Sequence, residues 1–288
     1  MNTVSANSYG NPSSMHYIGR TAHDLLEQSR ALIADVLAVR TREIFFTGSG
    51  TESDNLAILG LARAHKAHGN HIIVSTIEHK AVLAAAKQLE TEGFTVTYLP
   101  VDVKGMVSFN DLEAALRPET ILVSIMYANN EIGTVQPIQK LTQMCRTYHA
   151  NSLYPLVHTD ACQAVGQLPV APQELGVDAM SINSSKIYGP KGIGLLYLRT
   201  GVEINPLIVG GDQEHGIRAG TENVSLVAGF AAALVEAVAN ANENNLELWK
   251  LHTYFVKELK TTVPDISFNG HPSKRLPNNL HITIPTVE

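Results

Sequence analysis

Residues 71–101, HIIVSTIEHKAVLAAAKQLETEGFTVTYLPV, decide the fold. HIIVSTI is apolar almost throughout, as a strand covered on both faces should be. AVLAAAKQLETEG carries apolar residues at helical spacing and closes on a glycine, a common helix stop. TVTYLPV returns to strand composition. One strand, one helix and a second strand in so short a stretch indicate parallel strands joined by a crossover helix.

The alternation extends both ways. Upstream, TAHDLLEQSRALIADVLA predicts a helix over Thr21–Ala38, EIFFT a strand, GSGT a small-residue loop, and Glu52–His68 a second helix. Downstream, FNDLEAALRP reads as a helix, TILVSIMY as a strand and IQKLTQMCRTYHAN as a helix. LVHTDACQ is a strand running into a loop, and DAMSIN and GIGLLYLR are further strands. The expected fold class is α/β, a doubly wound, mainly parallel sheet with its ligand at the carboxyl ends of the strands. Residues 1–20 read as an N-terminal arm and 21–235 as a large domain. Residues 236–288 read as a connecting helix and part of a smaller α/β domain. Asn223–Thr262 is one long helix or two abutting ones, followed by the short strands DISFNG and NNLHITIP. That terminal piece would keep an unpaired edge and an uncovered apolar face, so the chain is expected to stop inside a second domain.

A hydrophobic content of 44% over 288 residues can bury a sizeable core. The net charge of −6 offers no basic stripe for nucleic acid. Cys145 and Cys162, the two cysteines, are too few for a disulfide scaffold and suit a reducing compartment. MNTVSANSYGNPSSMH lacks the charged and apolar regions of a signal peptide. No apolar run is long enough to span a bilayer. The expectation is a soluble cytoplasmic protein without nucleic-acid or membrane partners.

The candidate chemistry lies at strand ends. Lys186 sits in NSSKIYGPKGIG, between a strand and a glycine-proline turn. That confinement suits an amine that must meet one fixed electrophile, as in a Schiff base; a surface lysine in a turn fits the same pattern. In GSGTESDN, Gly48 and Gly50 allow close backbone approach, Ser49 and Thr51 offer hydroxyls, and a helix start follows. This is an anion site or a plain capped helix. His79, after HIIVSTI, could stack on an aromatic ring or donate a proton, or be a helix-start histidine without function. Asn130 and Glu131 in ANNEIGTVQP form a binding edge or an ordinary turn. Asp160 and Gln163 in HTDACQ follow a strand; an aspartate there needs a cationic partner to stay ionised, or is a helix cap. One ligand accounts for the whole set. A phosphate goes to GSGT, an aromatic ring to His79, a protonated ring nitrogen to Asp160 and an aldehyde to Lys186. Pyridoxal 5'-phosphate has these parts, and no metal is called for.

The chain resembles the class V aminotransferase family, and within it the cysteine desulfurases of iron–sulfur cluster assembly. YGNPSSMH, FTGSGTESDN, EHKAVL, NNEIGTVQPI, HTDACQAVG, SSKIYGPKGIG and RAGTEN carry the resemblance, in the family's order, over most of residues 9–235. It implies a fold-type I homodimer with active sites shared across the interface. It assigns the Schiff base to Lys186, the ring nitrogen to Asp160, stacking to His79 and the phenolic oxygen to Gln163, with Asn130 near ring and substrate. Ser49, Gly50 and Thr51 would hold the phosphate, and Thr221 would reach the phosphate of the neighbouring subunit's cofactor. The implied reaction takes L-cysteine or a similar amino acid to alanine and an enzyme persulfide, which a sulfur-acceptor scaffold protein could receive.

The sequence departs from the family at several points. Asn183 and Ser185 stand where the family has serine and histidine before the lysine. Both can still hydrogen-bond phosphate, which implies weaker cofactor binding. The family's first segment, with its Asp-Asn-Ala-Ala-Thr-Thr run, is absent. Its nucleophilic cysteine and carboxylate-binding arginine would fall beyond residue 288. Cys145, in an amphipathic helix, reads as core. Cys162, between Asp160 and Gln163, would be held away from the substrate sulfur with a raised pKa. The expected activity is therefore an impaired desulfurase. A non-catalytic cofactor-binding relative and another class V lyase or aminotransferase are the alternatives.

Overall fold

The computed structural model describes residues 1–148, 153–263 and 265–285. The predicted helix end at 149–151 and the tail 286–288 lie outside the described residues.

Seven strands form the main sheet: β1 (Ile44–Thr47), β2 (His71–Ser75), β3 (Thr95–Leu99), β4 (Thr120–Ser124), β5 (Leu156–Asp160), β6 (Ala179–Asn183) and β7 (Gly194–Leu198). Their order is β1-β7-β6-β5-β4-β2-β3. Only β7 runs against the others, antiparallel to both β1 and β6. The carboxyl ends of β1, β2, β4, β5 and β6 therefore share one edge. The reversal follows from chain length: the β6–β7 link is too short for a crossover helix, so the strand must return. An apolar run does not reveal its own direction.

Successive strand residues face opposite sides of the sheet. Phe46, Ile73, Val157 and Leu195 join one apolar cluster, and Phe45, Ile72, Leu156 and Leu196 the other. The helices are α1 (Asn2–Asn7), α2 (Tyr17–Leu37), α3 (Gly50–Asn55), α4 (Leu61–Ala64), α5 (Lys80–Thr91), α6 (Phe109–Ala115), α7 (Ile138–Tyr148), α8 (Pro172–Leu175), α9 (Val224–Ala239) and α10 (Ala241–Thr262). Residues of α2, α7 and α9 cover the first face, and residues of the α3–α4 segment and α5 cover the second.

Two helices differ from expectation, and an open alternative is resolved for a third segment. The first begins at Tyr17 rather than Thr21, because His16 Nδ1 accepts the Gly19 amide at 3.1 Å and caps it. Histidine is not among the usual caps. The helix expected over Glu52–His68 starts at Gly50 and passes through a π-helical turn at Leu56–Gly60. The Gly60 carbonyl there accepts the Asn205 amide at 3.1 Å. A methyl group on Gly60 would sit 2.7 Å from the Asn205 carbonyl, so the glycine permits that approach. Asn223–Thr262 resolves into α9 and α10, bent by 65°.

The α10 helix buries none of its residues and exposes Leu246, Leu251, Tyr254 and Phe255. Strands β8 (Ser267–Asn269) and β9 (His281–Thr283) pair antiparallel. Buried Arg275 ties them to the loop after β4, donating to the carbonyls of Asn269, Asn279 and Ile132. Among the described residues no single helix is long and apolar enough to cross a membrane; α9 and α10 meet the composition test only as the bent pair.

Candidate active site

The shared strand edge encloses a cavity of about 210 Å³. Gly50 and Thr51 reach it from the loop after β1, His79 from β2, Asn130 from β4, Asp160 and Gln163 from β5, and Asn183, Ser185 and Lys186 from β6. Asp54, Met126 and Cys162 complete the wall. Of the candidate site residues singled out in the sequence, Gly48, Ser49, Glu131 and Thr221 are outside it.

Ser49 caps α3, its Oγ accepting the Glu52 amide at 3.1 Å. The Ser49 carbonyl accepts the Ser53 amide at 3.0 Å and the Thr47 hydroxyl at 3.0 Å, so its own N–H and hydroxyl hydrogen are the donors it could offer a ligand. Glu52 turns back to accept the Gly48 amide at 2.8 Å, and Arg218 Nε donates to Glu52 Oε1 at 2.8 Å. The segment that carries exposed Thr221 is thus tied to the start of α3. At Gly50, a Cβ would come within 2.9 Å of Cys162 Sγ and 3.1 Å of Asn183 Cβ. Only glycine leaves that part of the cavity open.

His79 caps α5, Nδ1 accepting the Ala81 amide at 3.1 Å, and its ring is exposed. Behind it, Asn129 donates to the Ile77 carbonyl at 3.0 Å and accepts the amides of Glu131 and Ile132 at 2.9 Å each. This joins the His79 loop to the Asn130 loop. Lys186 lies on a one-turn 3₁₀ helix, Ser184–Ile187, begun by Asn183 Oδ1 accepting the Ser185 amide at 3.3 Å. Lys186 is exposed and also lines a second cavity of about 190 Å³ beside Gly166 and Glu236.

Asp160 is buried, and its Oδ1 accepts the Cys162 amide at 2.9 Å. Burial pushes its carboxyl above the usual range, while His79 and Lys186 pull the other way. The cation expected to hold it ionised is not supplied by a protein side chain within hydrogen-bond distance. Burial, then the charges of Asp160 and Asp54, push the Cys162 thiol well up. Burial also pushes Cys145 up to about 12.

Asp54 and Glu78, both buried beside the site, escaped the sequence reading. Asp54 follows Gly50 by four residues, the spacing that repeats one helix face, and that was the available signal. Glu78, next to His79, carries no signal in the sequence that marks it as buried.

The sequence profile of aminotransferases of class V matches residues 1–288. The chain belongs to the class V aminotransferase family. Two similar class V relatives are cysteine desulfurases named IscS. The one from Dictyoglomus turgidum is 48% identical over 280 residues, covering 97% of this chain and 70% of the relative. The one from Methanosarcina thermophila is 46% identical over 281 residues, covering 98% and 68%. A solved NifS-like protein is 40% identical with a TM-score of 0.95, over 99% of this chain and 77% of that one. The mainly parallel sheet is thus the fold-type I arrangement.

Class V aminotransferases are pyridoxal-phosphate enzymes. The cavity fits that cofactor on its own terms. It offers an amine at Lys186, a buried carboxyl without a paired cation at Asp160, and a cradle at Gly50 that a methyl group would fill.

Proposed function

We propose that this chain binds pyridoxal 5'-phosphate in the cavity and acts on L-cysteine as a desulfurase-type transferase. The convergence of Lys186, Asp160, His79, Gly50 and Thr51 on one cavity carries the reading, and the identity to cysteine desulfurases supports it. The bound cofactor supplies an aldehyde for imine exchange and a ring that accepts electrons from the substrate's α-carbon.

In this reading the Lys186 amine would hold the cofactor at its aldehyde and would serve as base for the substrate's α-proton. The Asp160 carboxylate holds a proton at the ring nitrogen. His79 would stack on the ring, Gln163 would contact its phenolic oxygen, and Asn130 would lie near ring and substrate. Thr51, the backbone of Ser49 and Gly50, and the side chains of Asn183 and Ser185 hold the phosphate. Because Asn183 Oδ1 already accepts the Ser185 amide, its amide nitrogen is the group left for that task. Thr221 reaches the phosphate of a second copy's cofactor, which makes the working form a homodimer.

Sulfur acceptance needs a thiolate. Both cysteines of this chain are buried, and burial pushes both thiols up, away from the thiolate form. We therefore read residues 1–288 as carrying the cofactor half of the reaction without a reactive thiol for persulfide formation, and delivery to a scaffold protein is impaired accordingly.

Titration with pyridoxal phosphate tests this. A yellow absorption band should form with wild-type protein and be lost with Lys186→Ala. Sulfide release from cysteine should stay near background. A band unchanged in Lys186→Ala would refute the lysine assignment, and robust sulfide release would refute the impairment.

A further inference from the structure

Two buried carboxyls share the cavity wall, and the roles assigned above use only Asp160. The other, Asp54, comes from α3 and is 1% exposed. Its Oδ1 has no hydrogen-bond partner. It stands 3.8 Å from His158 Nε2, deep in the sheet. That histidine offers no charge. Its Nδ1 pairs with Ser124 Oγ at 2.9 Å and its Nε2 with Ser181 Oγ at 3.0 Å. Burial pushes its pKa down to about 3.

The other groups around Asp54 are Asp160 on β5, Ser181 on β6 and Glu78 after β2. Asp160 and Glu78 are acidic, and Glu78 Oε2 is itself buried without a partner. Cys162 is neutral. Lys186 and His79 draw on Asp160 from the cavity side. Two buried carboxyls therefore share the cavity wall with a third, Glu78, buried near them, and Lys186 and His79 act on Asp160. The three carboxyls cannot all ionise.

We propose that Asp54 is a positioning residue that keeps a proton beside Asp160, so that one carboxylate alone, that of Asp160, faces the cofactor's ring nitrogen. Held neutral, Asp54 can accept from Ser181 and donate into the cavity. Ionised, it would add a second negative charge and drive a proton back onto Asp160. The identity of the ring rests on the function proposed above. The proton on Asp54 does not, and is read on protein without cofactor.

Infrared spectroscopy near neutral pH reads carboxylic-acid C=O bands directly. Wild-type protein should show an acid band that Asp54→Asn removes, distinct from the band of Glu78, itself raised to about 8, which Glu78→Gln removes. The band should persist after the protein is loaded with pyridoxal phosphate. Asp54→Asn, which keeps the shape and stays uncharged, should hold the cofactor within about threefold of wild type. Asp160→Asn should lose about tenfold or more. If Asp54→Asn does not fold, ¹³C-aspartate labelling of wild-type protein decides, because the band in loaded protein must shift with the label. Acid bands that are all unchanged in Asp54→Asn, or an affinity loss in Asp54→Asn equal to that in Asp160→Asn, would overturn the proposal. Failure of the cofactor to bind would refute the function and leave the apo band standing as its own result.

Discussion

Glu78 Oε1 accepts the Met126 amide at 2.7 Å, bridging the loop after β2 to the end of β4. The same oxygen accepts the Ser75 hydroxyl at 2.6 Å. One buried side chain thus sets the spacing between the loops that carry His79 and Asn130. Burial raises the Glu78 pKa to about 8.

A pH dependence follows. A carboxyl raised in the fold binds its proton more tightly folded than unfolded. Its contribution is complete below the unfolded value, about 4.3, and is lost as pH climbs through 8. Thermal melts of the cofactor-free protein should show stability falling by a few kcal/mol across that window. Glu78→Gln, which keeps an acceptor for Ser75 and Met126, should flatten the fall. An equal slope in the variant would assign the loss to other groups.

Arg30 and Glu214 form a buried pair, with Nη1 to Oε2 at 2.9 Å and Nη2 to Oε1 at 2.8 Å. Glu214 also accepts the Phe46 amide at 2.8 Å and holds a left-handed backbone, φ 48°. Arg30→Ala strands a buried charge and should cost about 3–5 kcal/mol in urea unfolding. Arg30→Met combined with Glu214→Gln removes both charges and should recover part of that loss. A cost below about 1 kcal/mol would place the pair among those that contribute little.

Gly50→Ala tests the cradle. The added methyl group points at Cys162 Sγ and Asn183 Cβ, while alanine favours the helix it starts. Cofactor affinity should fall about tenfold or more with melting temperature nearly unchanged. Unchanged affinity would show that the ligand does not use this space.

Cys145 and Cys162 should resist alkylation in the native protein and react readily in urea, as counted by mass spectrometry. Only the thiolate is a nucleophile, and burial keeps both thiols protonated. Rapid native labelling of Cys162 would reopen it as a sulfur acceptor.

The strand–helix alternation and the clustering at one sheet edge were legible because hydrophobic period and strand ends are local properties. Asp160 ends β5, and His79 and Lys186 follow the ends of β2 and β6 within four residues, so their convergence followed from topology. The reversed β7 was hidden, since its composition matches that of its parallel neighbours. Asp54 and Glu78 were hidden for a different reason. Acidic residues are mostly exposed, and only the packing of α3 and the β2 loop against the sheet buries these two. The His16 cap and the π-helical turn at Leu56–Gly60 depend on contacts made after folding.

The central claim is that the Lys186 amine meets the cofactor. Borohydride treatment of protein loaded with pyridoxal phosphate, followed by peptide mapping, tests it most directly. The pyridoxyl group should be fixed on the peptide containing Lys186 and on no other lysine. A pyridoxyl group fixed on Lys191 or elsewhere, with Lys186 unmodified, would contradict the account.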